Sequence, residues 1–331
     1  MNNNTKLGYL RAYFKLGLLM IGIYCLPSFA LDYPTKPIKM IVPFAPGGGN
    51  DAIGRVIAKN LTEHLGQPVI VENKAGAGGR LGVESGVKAD ADGYTVLLIS
   101  NSYAANPSLF KINFDPIKDI TPIGLIAKTP LLLAVRKDLP VNNVSELIQY
   151  SKANPGKLSY ASSGQGGISH LSTELFLKLA GIEMTHIPYK GTAPAITDIV
   201  GGVTDIFFST SGAALPYLQA KKIKVIAVST SSRSATEPQI PTVAESGLPG
   251  YGVTVWYALI GPKNLPVEIE KKLNAALKVA VLDKKTLELF KATGDVASPS
   301  SSEELKTIIS DEVNLWRKVV SDAKIKVDLP Q

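Results

Sequence analysis

Val42-Pro43-Phe44-Ala45-Pro46-Gly47-Gly48-Gly49-Asn50-Asp51 joins a short apolar run, Ile38 to Phe44, to a helical pattern beginning at Ala52. It reads as a strand, a glycine turn and a helix start. Three consecutive glycines turn the backbone without a Cβ penalty and leave no side chain between a ligand and the peptide N–H groups. Asn50 or Asp51 is placed to cap a helix whose Ile53, Val56, Ile57, Leu61 and Leu65 recur at helical spacing. Unpaired N–H groups and the positive end of the helix dipole then converge on one small space, which suits an anion such as a carboxylate. A tight strand-to-helix turn with no ligand has the same pattern, so both readings stand at this point.

Outward from that unit, Pro68 to Asn73 reads as a second strand and Gly76-Ala77-Gly78-Gly79 as a flexible loop before a short helix, Gly82 to Lys88. Asp92-Gly93 turns into the apolar strand Tyr94 to Ile99. Strands alternating with helices predict an α/β fold with mostly parallel sheets, whose ligand crevice lies at the carboxyl ends of the strands. Ser100-Asn101-Ser102 follows such an end and is a second candidate for the site. Leu131 to Val135 is a buried-type run after the Pro-containing stretch Asp115 to Pro130, which marks a first crossing between domains. A second series follows: a helix from Ser145 to Asn154, a strand from Leu158 to Ala161, then Ser162-Ser163-Gly164-Gln165-Gly166-Gly167 leading into a helix from Ser169 to Leu179. Strand, glycine-rich turn and helix N-terminus are thus repeated, and two such turns could face each other across a cleft. Met184 to Pro188 is a strand, followed by a helix entered through Pro194. Asp205 to Phe208 and Ile223 to Val228 are strands, with Ser209-Thr210-Ser211-Gly212 between them. Pro241 to Gly247 looks like a short helix, and Val253 to Ile260 like the return strand, its Trp256 and Tyr257 read as core or hinge packing. The remainder is helical: Pro266 to Leu282, Asp283 to Ala292, and Ser302 to Ala323 with a capping box from Ser301 and Glu304.

The first thirty residues read as a cleavable signal peptide. Lys6, Arg11 and Lys15 precede an uncharged run from Leu16 to Ala30, which ends in the small-residue site Ser28-Phe29-Ala30. Its apolar centre, about a dozen residues, is too short for a stable membrane span. The only cysteine, Cys25, lies inside this segment behind the bulky Tyr24, a poor lipidation context. The mature chain therefore has no disulfide, thiol nucleophile or thiolate metal site. About 300 remaining residues exceed what one core serves, so two domains are expected: 31–127 with 253–331 as a discontinuous first domain, and 128–252 as the second. Without the three leader cations the formal charge falls from +7 to +4 against 28 acidic residues. No Lys/Arg block or basic-aromatic interleaving points to nucleic acid.

Other chemistries find little support. A dinucleotide fingerprint from Gly76 would need glycine where Leu81 stands, and no glycine cluster ends in Gly-Lys-Ser/Thr, so no nucleotide cofactor is expected. A serine hydrolase motif would need glycine at Ala161. Ser163 and His170 are close in sequence, yet no local acid would orient a triad. His64, His170 and His186 have no metal-ligand spacing. Lys190 is either a cation beside the cleft or a solvated turn lysine.

Tyr33-Pro34-x-Lys36-Pro37-Ile38, Val42-Pro43-Phe44-x-Pro46-Gly47-Gly48, Glu72-Asn73-Lys74-x-Gly76-Ala77-Gly78-Gly79, Asp92-Gly93-Tyr94-Thr95, His186-Ile187-Pro188-Tyr189-Lys190-Gly191 and Pro241-Thr242-Val243-x-Glu245-x-Gly247-Leu248-Pro249-Gly250-Tyr251 stand in one order. Over essentially the whole mature chain this resembles the Bug family, the extracytoplasmic substrate-binding receptors of tripartite tricarboxylate transporters. The resemblance implies a two-domain periplasmic-binding-protein fold of type II kind that closes on one small carboxylated solute. It implies a periplasmic monomer without catalytic activity, metal or cofactor, which hands its solute to membrane permease subunits. A receptor read by a membrane sensor kinase is the alternative, and a secreted serine hydrolase using Ser163 and His170 a remote one. The site implied is built from loops matching Phe44 to Asp51 and Ser162 to His170. Phe44 shapes the floor, Gly47, Gly48 and Gly49 present N–H donors, and Asn50 or Asp51 orders the helix. Ser163, Gly164 and Gly166 oppose them, with His170 behind and Ser102, Ser209 and Thr210 at the rim. Two departures stand out. Asn50 occupies a position where many relatives have Thr or Ser, and Ser209 one where many have Asp, which argues mildly against an amino-acid ligand.

Overall fold

The computed structural model of the chain describes residues 32–322 and 325. The leader and Cys25 lie outside them. The chain runs β1 (Ile38–Val42), α1 (Gly49–Leu65), β2 (Val69–Asn73), a 3-10 turn (Ala77–Gly79), α2 (Arg80–Val87), β3 (Thr95–Ser100), α3 (Asn101–Leu109) and β4 (Ile120–Arg136). It continues with α4 (Val144–Ala153), β5 (Ser159–Ser162), α5 (Ile168–Ala180), β6 (Thr185–Pro188), α6 (Thr192–Val200), β7 (Ile206–Thr210), α7 (Ser211–Gln219) and β8 (Ile223–Val228). Last come β9 (Thr254–Pro262), α8 (Val267–Leu282), α9 (Lys284–Thr293), β10 (Val296–Ala297) and α10 (Ser302–Asp322).

The α/β class is as expected, with the parallel pairing confined to the βα units. β1 pairs in parallel with β2 and β3, and β5 with β6 and β7. Antiparallel pairs through β4, β8, β9 and β10 join these two groups, giving the order β2-β1-β3-β9-β4-β7-β5-β6. In β7, neighbouring phenylalanines serve opposite faces: Phe207 joins Ile196, Ile199 and Ala214 of α6 and α7, while Phe208 packs on Phe176 of α5 and Tyr251. Helices thus cover both sides, which is why the strand reads as an unbroken apolar run rather than an alternation.

The stretch Asp115 to Pro130, expected as a first crossing between domains, is from Ile120 onward part of a 17-residue strand, β4. Pro122 lacks an N–H, and the ladder slips between Pro122 and Gly124, a bulge that tolerates it. The first part of β4, to Pro130, pairs with β9, and from Leu131 it pairs with β7 and β8. Ser229 stitches this passage to the return segment. Its hydroxyl accepts from Leu131 N at 2.8 Å and donates to Val253 O at 2.6 Å. Its own N–H donates to Leu131 O and its carbonyl accepts from Val253 N, each at 2.8 Å.

Two helices, α3 and α7, were not expected. Each contains a proline, Pro107 or Pro216, and opens with polar residues, so neither shows an apolar period. Conversely, Pro241 to Gly247 forms consecutive turns and not a helix, because Val243 N bonds to Val228 O and Thr242 bridges to Val228 at the edge of β8. The capping box of α10 forms as expected: Ser301 Oγ accepts from Glu304 N at 3.2 Å, and Glu304 Oε2 accepts from Ser301 N at 2.7 Å. No helix among the described residues is long and apolar enough to cross a membrane.

Candidate functional site

The glycine turn after β1 begins α1 at Gly49, three residues before the expected Ala52. Gly48 is the extended N-cap, so Asn50 and Asp51 lie in the first turn of the helix and not at its cap. Asp51 acts backwards: Oδ2 accepts from Gly47 N and from Arg55 Nε, both at 2.9 Å, and Oδ1 accepts from Asn73 Nδ2 at 2.9 Å. Burial pushes its carboxyl up, but the bonds from Arg55, Gly47 and Asn73 outweigh that and hold it below the usual range. The carboxylate also sits favourably in the first turn of a helix dipole. Among the described residues, the N–H groups of Gly48, Gly49 and Asn50 have no acceptor.

These donors face the other group of strands at close range. A Cβ built on Gly48 would lie 3.3 Å from Thr192 Cβ, and one on Gly47 3.4 Å from Ala193 Cβ. One on Gly49 would lie 2.8 Å from the Tyr257 hydroxyl and 2.9 Å from Thr210 Oγ1. Both hydroxyls are buried without a hydrogen-bond partner among the described residues, as are Asn50 Oδ1 and Ser100 Oγ, the last directly opposite Tyr257 across β3 and β9. Gly47 to Gly49, Thr210, Tyr257 and Asp295 border a cavity of about 80 Å³, reached also by Gly212 and Ala213 of α7. α1 and α7 both start here, and neither has a side-chain cap. Two helix N-termini, three N–H donors and two hydroxyls therefore share one small space, an arrangement that stabilises a bound anion. Asp295 adds an acid. Its burial pushes it up to about 6 despite hydrogen bonds from Thr293 and Thr129.

The second glycine loop does not face the first. A Cβ on Gly164 would lie 3.2 Å from Gly78 N, and one on Gly166 would strike the Phe110 ring, so this loop meets the 3-10 turn and α3. The reason is strand order: β7 adjoins β4, which places the β7–α7 corner opposite the opening turn and leaves β5 farther out. The loop's donors are also engaged internally. Ser163 N donates to Ser169 Oγ, Gly164 N to Ser162 Oγ, Gly166 N to His170 Nδ1 and Ile168 N to Ser102 Oγ, at 2.8 to 3.2 Å. His170 and His186 stack with ring centroids 4.2 Å apart. Burial, with the neighbouring His186, pulls His170 down to about 3, so it serves as a neutral acceptor holding the loop.

A nucleophilic pairing of Ser163 with His170 is not formed, since Ser163 Oγ bonds Ser169 Oγ at 2.9 Å. Ser162, with no exposed surface, bonds His186 Nε2 instead at 2.6 Å. No cluster of His, Cys, Asp and Glu suited to a metal occurs among the described residues.

Residues 53–325 match the tripartite tricarboxylate transporter family receptor. The chain belongs to this receptor family. It is 36% identical to protein BugT of Bordetella pertussis, over 94% of this chain and 98% of that protein. The solved structure of periplasmic binding protein BugD superposes with a TM-score of 0.86 at 35% identity, covering 89% of this chain and 99% of that one. Rpa4515 of R. palustris, solved with adipate, gives 0.86 at 34% identity over 89% and 99%.

Within this receptor family fold, the expected site residues separate into groups. Gly47, Gly48, Gly49 and Thr210 come together around the small cavity, and Asn50 follows them in the first turn of α1. Phe44 is buried beneath the 3-10 turn, 3.0 Å from where a Cβ on Gly79 would sit. Ser163, Gly164, Gly166, His170 and Ser102 form the second, internally bonded cluster. Ser209 is not at a rim: it has no exposed surface, and its hydroxyl donates to Thr210 O at 3.2 Å. Tyr257 and Asp295 border the same cavity and were not among the expected residues. Tyr257 reads as packing because its neighbours are apolar, although a buried tyrosine hydroxyl requires a partner and is itself a signal.

Proposed function

We propose that the chain is a periplasmic receptor that captures a small organic carboxylate and delivers it to the permease of a tripartite tricarboxylate transporter. The observation that carries this reading is the set of buried donors without protein partners around the Gly47–Gly49 turn: three N–H groups and the hydroxyls of Thr210 and Tyr257. Such donors bind a carboxylate without a buried cation, because hydrogen bonds to a charged acceptor are the strong ones. The adipate bound by Rpa4515 supports the ligand class. In this reading 31–127 with 253–331 and 128–252 act as two domains, and closure brings Thr210 and Ala193 against the glycine turn. The closed shape is what the membrane partner reads. The first thirty residues serve export and are removed, the receptor works as a monomer, and it carries no cofactor and performs no reaction.

The test is thermal unfolding of refolded, ligand-stripped protein against small mono-, di- and tricarboxylates, aromatic acids and acidic amino acids. An acid at a hundredfold its dissociation constant adds about 2.7 kcal/mol, a shift of several degrees. Absence of a shift with every acid, in folded protein, defeats the reading.

A further inference from the structure

The acid beside the glycine turn takes no part in the hydrogen bonds that carry the carboxylate reading. Asp295 follows α9, which closes through Gly294 at a φ of 76°, and its N–H donates to Phe290 O at 2.8 Å. This turn abuts the start of α7: a Cβ on Gly294 would lie 3.1 Å from Ser211 Cβ, and one on Gly212 3.3 Å from Thr293 Cβ. The Asp295 carboxyl is thereby fixed at the wall of the cavity of about 80 Å³ that Gly47–Gly49, Thr210 and Tyr257 also border. It accepts from Thr293 Oγ1 at 2.5 Å and from Thr129.

No Lys, Arg or His is among the described residues that line this cavity. Tyr257, on β9, stays neutral because burial, with Asp295 nearby, pushes its phenol up. Asp51 of α1 is turned to Gly47, Arg55 and Asn73, and α7 carries no charged side chain. On its other side Asp295 lines a cavity of about 220 Å³ with Lys128 of β4 and Arg233 of the segment after β8. Lys128 is exposed and its charge acts on Glu312 of α10, while Arg233 is paired with Glu245 at 2.9 Å. A space of about 80 Å³ is roughly 5 Å across, so a carboxylate inside it stands within the few ångströms over which a like charge disfavours ionisation. Two carboxyls so placed, with no cation in the cavity wall, share one proton between them. Burial already carries Asp295 up to about 6, close to taking that proton at neutral pH.

We propose that the receptor captures its acid together with one proton, taken from solvent by Asp295 as the solute carboxylate enters beside the Gly47–Gly49 turn. The pair then carries a single negative charge, and the protonated Asp295 becomes a further hydrogen-bond donor. The proton returns to solvent when the solute leaves. The inference rests on the carboxylate reading above.

The test is isothermal calorimetry of acetate, succinate, adipate, citrate, benzoate and glutamate at pH 7 in two buffers of unlike ionisation enthalpy, PIPES and imidazole. Wild type, Asp295→Asn and Thr293→Val are compared, and the dependence of the heat on the buffer counts protons. About one tenth of ligand-free Asp295 is protonated at pH 7, so wild type should take up as much as about 0.9 proton per acid bound. Its affinity should fall by up to about fiftyfold from pH 6 to pH 8. Asp295→Asn, neutral throughout, should take up none and bind evenly over that range. Thr293→Val removes a bond that favours the ionised form, so its uptake at pH 7 should shrink and its fall in affinity move to higher pH. Uptake near zero when an acid binds wild type, or uptake that Asp295→Asn leaves intact, overturns the inference while the carboxylate reading survives. Failure of every acid to bind wild type overturns the carboxylate reading itself. Ligand-free melting checks folding, and if Asp295→Asn does not fold, equal uptake by wild type and Thr293→Val overturns the inference.

Discussion

Replacing Gly49 by alanine adds one methyl where two buried hydroxyls converge. The new carbon would lie 2.8 Å from the Tyr257 hydroxyl, 2.9 Å from Thr210 Oγ1 and 3.2 Å from Thr210 Cβ. Carbon atoms settle about 3.5–4.0 Å apart, so Thr210 must retreat by roughly half an ångström. Overpacking of this kind costs about 1–3 kcal/mol, which is about a 5- to 140-fold change in an equilibrium constant. Tyr257 lies on the same group of strands as Gly49, so its share of the cost is present whether or not the two groups are together. Thr210 lies on the other group, so in the two-domain reading proposed above its share falls only on the closed form. Acid affinity should therefore drop within that range, while stability changes less, because alanine favours the helix by up to about 1 kcal/mol. Gly66→Ala is the control. Its φ of 70° is left-handed and nothing lies within 4 Å, so it should lose about 1–2 kcal/mol of stability and no affinity. Urea unfolding and isothermal calorimetry read the two quantities separately. Binding by Gly49→Ala within twofold of wild type would refute the close approach of the turn to Thr210 in the ligand-bound protein.

Tyr257→Phe removes a hydroxyl that has no protein partner, so ligand-free stability should hold or rise while acid affinity falls about tenfold, measured by calorimetry. Asp295 titrates near 6 in the folded chain against 3.8 ordinarily. A raised acid contributes stability that is full below 3.8 and lost as pH climbs to about 6, roughly two pK units or about 3 kcal/mol. Asp295→Asn should therefore gain on wild type between pH 4 and pH 7 in denaturant titrations, and a constant difference would argue against a buried, protonated Asp295. Asp51 works in the opposite direction. Its depressed carboxyl contributes stability above 3.8 that is lost as pH falls through its folded value, so Asp51→Asn should cost about 1.5–3 kcal/mol at pH 7, shrinking below pH 4.

Most strands and the long helices were legible because burial on one face leaves a period. Ile223 to Val228 coincides with β8, and β2, β5 and β9 fall within a residue or two of their expected bounds. The opening glycine turn was legible for the same local reason. What sequence could not supply was lateral order. Nothing in Ser162 to His170 says that β5 lies outside β7, so the second glycine loop was expected opposite the first and instead meets Gly78 and Phe110. Prolines misled in β4, α3 and α7, where a bulge or a short polar helix accommodates them. Asp295 was invisible because it is buried among residues distant in the chain, Thr210 and Tyr257 among them, which no local pattern records.

The stitching at Ser229 sets the kind of movement open to the chain. The outgoing passage at Leu131 and the return at Val253 are tied through one residue, by four hydrogen bonds that all involve Ser229. Two connections bonded side by side behave as a strap, which twists readily but resists sliding and splaying. In the two-domain reading proposed above, the gap beside the glycine turn would be governed by a single angle, and fluorescent reporters on its two walls would trace one shared coordinate. Ser229→Ala removes the two hydroxyl bonds and keeps the two main-chain ones, so it would loosen the strap and broaden the spread of distances while leaving the residues around the glycine turn unchanged.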